Sequence, residues 1–168
     1  SAAIAHGRDV TLPNPLYQRF IPHVFGTLDA VLPVSRATGQ ACLERGLDAR
    51  KLHVVPNGID VRQFGAPTDR SASRRELLAA FNASDIPDDA LLLCSVGRQV
   101  ERKGLAWFID KVMPKLPGNV QYWLAGDGPE SGRIQAAVDA HGLQDCVRLL
   151  GRESGQRLRQ LYRGADLF

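Results

Sequence analysis

Apolar positions recur along this chain in two rhythms. One is the short unbroken run: "DAVLPVS" (29–35), "KLHVVPNG" (51–58), "ALLLCSVG" (90–97), "VQYWLAG" (120–126) and "CVRLLG" (146–151). Runs of this length, bounded by Gly, Pro, Asn or Ser, predict β-strands. The other rhythm is helical. Leu105, Phe108, Ile109 and Val112 fall at i, i+3, i+4 and i+7, one stripe of a helix, and Ile134, Ala137 and Val138, then Leu158, Leu161 and Tyr162, repeat it. "SRATGQACLERG", with Ser35 as N-cap and Gly46 as stop, and "SRRELLAAFN" (73–82) supply two more helices. Pro129 suits a first helical turn, and Gly142 ends the helix that follows it.

Strands that alternate with helices predict an α/β protein with parallel sheets flanked by helices. The run 90–97 is almost wholly apolar and reads as a central strand covered on both faces. "QFGAPTDRSAS" (63–73) is rich in small and polar residues and reads as a linker. The expected division is therefore residues 1–63, a linker at 64–73, and residues 74–168. Ligands of such sheets bind beyond the carboxyl ends of the strands. That directs attention to three turns: "GRQVERKG" (97–104), "GDGP" (126–129) and "GRESG" (151–155).

Composition narrows the function classes. The chain has 168 residues, 44% hydrophobic and 23% charged, as in an ordinary globular protein. Its net charge is +3, its basic residues are interspersed with acids, and no nucleic-acid-binding motif is visible. An anionic small molecule is the simpler partner for a few local cations. Cys42, Cys94 and Cys146 form no C-x-x-C pair and read as buried reduced thiols in a cytoplasmic setting. No run approaches the ~18 apolar residues of a spanning helix, and no signal peptide is visible.

The first of the three turns carries the clearest chemistry. Gly97 has no Cβ, so a ligand can come close to its backbone. Arg98 offers a planar fork suited to phosphate oxygens, and Lys103 a mobile point charge. Both heads can converge on one diphosphate, each contact worth about 4 kcal/mol at ~4 Å and an effective dielectric near 20. A solvated loop stays open as the alternative on these residues alone. The chain has no Asp-x-Asp pair to hold a divalent metal against a diphosphate, so side-chain cations would take the metal's place.

The ordered set "HGRDV", "VLPVS", "VVPNGID", "F", "SVGRQVERKG", "LAGDGPE", "VRLLG" and "LYRGADLF" resembles glycosyltransferase family 4, retaining nucleotide-sugar-dependent enzymes of the GT-B fold. The resemblance implies parts of two Rossmann-like domains. It places Gly97, Arg98 and Lys103 at the donor diphosphate, Gly126, Asp127 and Gly128 beside the donor nucleotide, and Arg152 near the nucleobase. It puts His6 at the end of a strand, where an imidazole contacts the donor sugar or steadies charge near the reacting centre. It implies no cofactor and no metal: the partners are a nucleotide-sugar donor and an acceptor hydroxyl on a sugar, metabolite or lipid, the last leaving contact with a membrane surface open. No general base is evident, so the departing phosphate is expected to take the acceptor's proton.

Several residues keep plainer readings. Asp9 is expected to cap its local turn, Ser35 its helix, and Asn57-Gly58 to form a tight turn with positive φ. His23, His53 and His141 match no functional position, and Arg102 has no assigned task. The family's E-x7-E segment lies beyond "ADLF", so the chain is expected to be an internal fragment of such an enzyme. A non-catalytic nucleotide-sugar-binding module, a nucleotide-sugar epimerase and a phosphorylase-like GT-B protein stay open beside the transferase.

Overall fold

Two short parallel strands begin the chain, β1 (Ala2–Ala5) and β2 (Ala30–Pro33), with Ala2 opposite Ala30. The computed structural model describes residues 1–64, 69–87 and 89–168, and it divides into two units, Ser1–Val61 and Arg62–Phe168. In the first unit, the connection between the strands holds α1 (Gly7–Thr11) and α2 (Pro15–Thr27); α3 (Arg36–Leu43) follows β2. The apolar pattern did not announce α1 or α2. Pro22 sits inside α2, where proline normally argues against a helix. The helix is nonetheless well started: the Asn14 side chain accepts the Tyr17 N–H at 3.0 Å, and Pro15 opens the first turn. Val10, Ile21, Phe25, Val31, Cys42 and Leu47 form the core of this unit. Ser35 caps α3 as expected, accepting the Thr38 N–H at 3.1 Å.

Two expectations fail here. Residues 51–58 do not form a strand of their own. A 3-10 turn occupies Ala49–Lys51, Leu52 bridges Val31, and the His53 and Val55 N–H groups reach the Val31 and Pro33 carbonyls at 3.0 and 2.9 Å. Pro56 has no N–H to continue that ladder. Asn57 and Gly58 form no positive-φ turn, since neither has a positive φ.

The second unit runs α4 (Arg70–Ala80), β3 (Leu91–Val96), α5 (Leu105–Lys111), β4 (Val120–Ala125), α6 (Ser131–Ala140), β5 (Val147–Gly151) and α7 (Gly155–Gly164). Helix α4 starts at Arg70 rather than Ser73, because Asp69 caps it by accepting the Ser71 N–H at 3.0 Å. Residues 65–68 of the expected linker lie outside the described residues. Pro129 precedes α6 instead of opening it, and Glu130 is the N-cap.

The three strands are parallel, in the order β3-β4-β5. The central strand is thus β4, not β3. Every residue of β4 is buried, with Trp123 and Ala125 in the cluster of Leu77, Leu92 and Leu161, and Tyr122 and Leu124 in that of Ile109, Ile134 and Val138. Alternate side chains thus go to opposite faces and give three layers, α4 and α7 on one side and α5 and α6 on the other. Strand β3 has β4 on one edge and a single bridge, Leu93 to Leu167, on the other; Leu91 is half-exposed. Both strands are equally apolar in sequence; their order in the sheet decides which is covered. Helices α4 and α7 touch closely, since a Cβ on Gly164 would lie 2.6 Å from Leu77 Cβ.

Each unit is a parallel-sheet, Rossmann-like assembly flanked by helices, consistent with the GT-B fold. Cys42 and Cys94 are buried and Cys146 is partly exposed, all as free thiols; burial pushes the Cys94 thiol up to about 11. Among the described residues no helix is long and apolar enough to cross a membrane.

Candidate functional site

The carboxyl edge of the β3-β4-β5 sheet brings the three expected turns together. The first two turns each hang on the next strand: Gly97 N–H donates to the Ala125 carbonyl at 2.9 Å, and Gly126 N–H to the Gly151 carbonyl at 2.6 Å. The first two backbones are in direct contact. A Cβ on Gly126, where φ is +123°, would lie 2.1 Å from the Gly97 carbonyl oxygen. One on Gly128 would lie 2.2 Å from the Gln99 oxygen. Only glycine allows this approach at either place.

Beside Gly97 opens a cleft of about 220 Å³ lined by Gly97, Arg98, Gln99, Lys103, Leu124 and Ala125 among others. Arg98 leaves the end of β3, and Lys103 is presented by a 3-10 turn over Glu101–Lys103 that ends at left-handed Gly104. The two cations are exposed, line the same cleft, and have no hydrogen-bond or ion-pair partner among the described residues. Arg102, in the same 3-10 turn, is exposed too.

The other expected site residues fall differently. Gly126, Asp127, Gly128 and Arg152 lie outside the lining of that cleft. Arg152 Nε donates to Asp127 Oδ2 at 2.8 Å, an exposed pair made by the adjacency of β4 and β5. His6 belongs to the first unit, exposed at the carboxyl end of β1. Its N–H donates to Asp9 Oδ2 at 3.0 Å, and the Asp9 N–H returns to the His6 carbonyl at 3.0 Å, so Asp9 caps the turn as expected. His141 pairs with Asp110 at 2.7 Å, and His23 lies against the Phe20 ring. No group of three or more His, Cys, Asp or Glu is placed to hold a metal ion among the described residues.

Sequence reasoning missed Gln99. Only 2% exposed, it bonds to Gly126 at the start of the second turn and to Ser131 at the start of the helix after it. A polar residue between two cations reads as solvated, and no local signal marks it as buried.

Comparisons with known proteins bear on the fold and the family. Residues 79–168 match the family model described as glycosyl transferases group 1, and residues 3–63 that of glycosyltransferase family 4. The chain is 24% identical over 169 residues to the amylovoran biosynthesis glycosyltransferase AmsK of Erwinia amylovora, across 98% of this chain and 38% of that protein. It is 31% identical over 132 residues to the putative glycosyltransferase EpsF of Bacillus subtilis, across 77% of this chain and 31% of that one. Its backbone superposes on the crystal structure of Anabaena HepE in complex with UDP and glucose with a TM-score of 0.78 at 20% identity, covering 98% of this chain and 45% of that one. The chain thus spans less than half the length of these relatives. The group 1 model alone takes in more than half of the 168 residues, and the chain belongs to the glycosyl transferases group 1 family.

Proposed function

We propose that this chain supplies the donor-diphosphate site of a retaining glycosyltransferase, which moves a sugar from a nucleoside diphosphate to an acceptor hydroxyl. The observation that carries the reading is the pair Arg98 and Lys103, without a carboxylate partner among the described residues, on one cleft at the carboxyl edge of a parallel sheet. Family membership and the UDP and UDP-glucose complexes of HepE support it.

When the bond between the sugar and the diphosphate breaks, its electron pair goes to the phosphate oxygen. Arg98 and Lys103 stabilise that growing charge. The acceptor oxygen bonds the anomeric carbon on the face the phosphate leaves, and its proton goes to the departing phosphate. Because two side chains supply the positive charge, the reaction proceeds without a bound metal. Gly97 contributes room rather than a donor, since its N–H is already bonded. The turn Gly126-Asp127-Gly128 borders the nucleoside, and the Asp127–Arg152 pair stands on the nucleobase side. The family motif, not a measured position, assigns His6 to the donor sugar.

The test is sugar transfer by the full-length protein from a panel of nucleotide sugars, with EDTA present and the product's anomeric configuration read by NMR. The expected result is transfer with retention that EDTA does not reduce, and lower turnover in His6→Ala at unchanged donor affinity. Donor binding without transfer to any acceptor would make it a binding module. Inversion, or loss of activity with EDTA, would refute the mechanism. Unchanged turnover in His6→Ala would leave His6 a turn residue only.

A further inference from the structure

We infer that Gln99 is a positioning residue for the diphosphate site, an inference that rests on the function proposed above. Its side-chain amide and its backbone together fasten the cationic turn to the glycine turn after β4. Nε2 donates to the Gly126 carbonyl at 3.0 Å, and Oε1 accepts the Ser131 hydroxyl at 2.6 Å. Its backbone N–H donates to the Asp127 carbonyl at 2.7 Å, and its carbonyl accepts the Glu130 N–H at 3.1 Å. Ser131 Oγ in turn accepts the Gly128 N–H at 3.1 Å. One side chain thus reaches the start of the glycine turn and, through Ser131, its end.

The consequence concerns Arg98, the next residue toward the N-terminus. An exposed arginine has rotamer freedom that a ligand must remove, at a cost set by how firmly its backbone is placed. The four bonds of Gln99 immobilise that backbone. They also hold Gly126 from its carbonyl side, while the Gly151 carbonyl holds it from its N–H side. Leucine at 99 would fill similar volume but take the Nε2 donor away from the partly buried Gly126 carbonyl.

The test uses the full-length protein titrated with UDP, GDP and ADP, and transfer kinetics on the ligand that binds. Gln99→Leu is expected to weaken diphosphate binding roughly three- to tenfold, the weight of one or two neutral hydrogen bonds, with near-UV circular dichroism unchanged. Gln99→Glu gives a second readout that a purely structural residue would not. Protonated, its carboxyl donates to the Gly126 carbonyl; ionised, it sets a buried charge against that carbonyl. The charged groups on the flanking turns are Arg98, Glu101, Arg102, Lys103, Asp127 and Glu130; Asp127 pairs with Arg152 and Glu130 with Arg133. The ratio of variant to parent Kd at each pH cancels the ligand's own titration. That ratio should fall toward one as pH is lowered from about 8 to about 5.5, because burial raises the carboxyl's pKa. Parent-like affinity in folded Gln99→Leu, or a flat ratio in Gln99→Glu, overturns the inference. Either result leaves the functional reading standing provided Arg98→Ala still loses binding; if Arg98→Ala also binds like the parent, it is the functional reading that fails.

Discussion

The two ends of β3 hold the same kinds of charge and use them in opposite ways. At its amino end, Arg70 and Arg74 from α4 both meet Asp166, whose Oδ2 also accepts the Leu92 N–H at 2.6 Å. Arg74 and Asp166 are mostly buried, with 14% and 10% of their side chains exposed. At its carboxyl end, the Arg98 and Lys103 side chains are exposed and have no hydrogen-bond or ion-pair partner among the described residues. A cation already answered by a carboxylate ties α4 to the segment after α7, whereas one left unanswered beside a cleft is available to an anion from outside. Type of residue does not separate the two ends of β3; compensation does.

The largest effect should come from removing the shared carboxylate. Asp166→Asn leaves the Arg74 guanidinium buried and without its counter-ion, and is expected to cost about 3 kcal/mol of stability. Urea unfolding measures it. A loss below about 1 kcal/mol would mean that the amino-end cluster is as solvent-screened as a surface pair. Next comes Gly126→Ala. Its Cβ cannot coexist with the Gly97 carbonyl oxygen 2.1 Å away, so the two turns must separate. Diphosphate binding should fall by more than tenfold, roughly the effect of 1.4 kcal/mol or more; parent affinity in this variant would show that the close approach does not matter to the ligand. The smallest effect belongs to Arg152→Ala. Arg152 is 84% exposed and its partner Asp127 52%, so the pair should contribute about 0–1 kcal/mol to stability. A larger loss on urea unfolding would place this pair with the amino-end cluster rather than on the surface.

Much of this was legible in the residues. The three glycine turns stand where the apolar runs end, because an apolar run bounded by glycine marks a strand and its exit wherever the strand lies in the sheet. The position of Arg98 and Lys103 was legible for the same reason: they sit in one such exit. What stayed hidden depends on partners distant in sequence. Asp166 read only as part of "ADLF", since its role comes from α4, more than ninety positions earlier. Gln99 looked like a solvated residue, since its bonds are to a turn that follows another helix and strand. The rank of β3 and β4 was hidden too, because similarly apolar runs serve a central strand and an edge strand with one further bridge. In the first unit, Pro22 masked α2 until its Asn14 cap and its packing through Ile21 and Phe25 outweighed the break.

The most direct test of the central claim is a titration of the full-length protein with nucleoside diphosphates, comparing the parent with Arg98→Ala and Lys103→Ala over a range of salt. Each substitution should weaken binding roughly ten- to hundredfold, the weight of a charge-assisted contact. Each should also flatten the salt dependence, because one cation fewer faces the anion. Diphosphate affinity equal to the parent's in both variants would contradict the account.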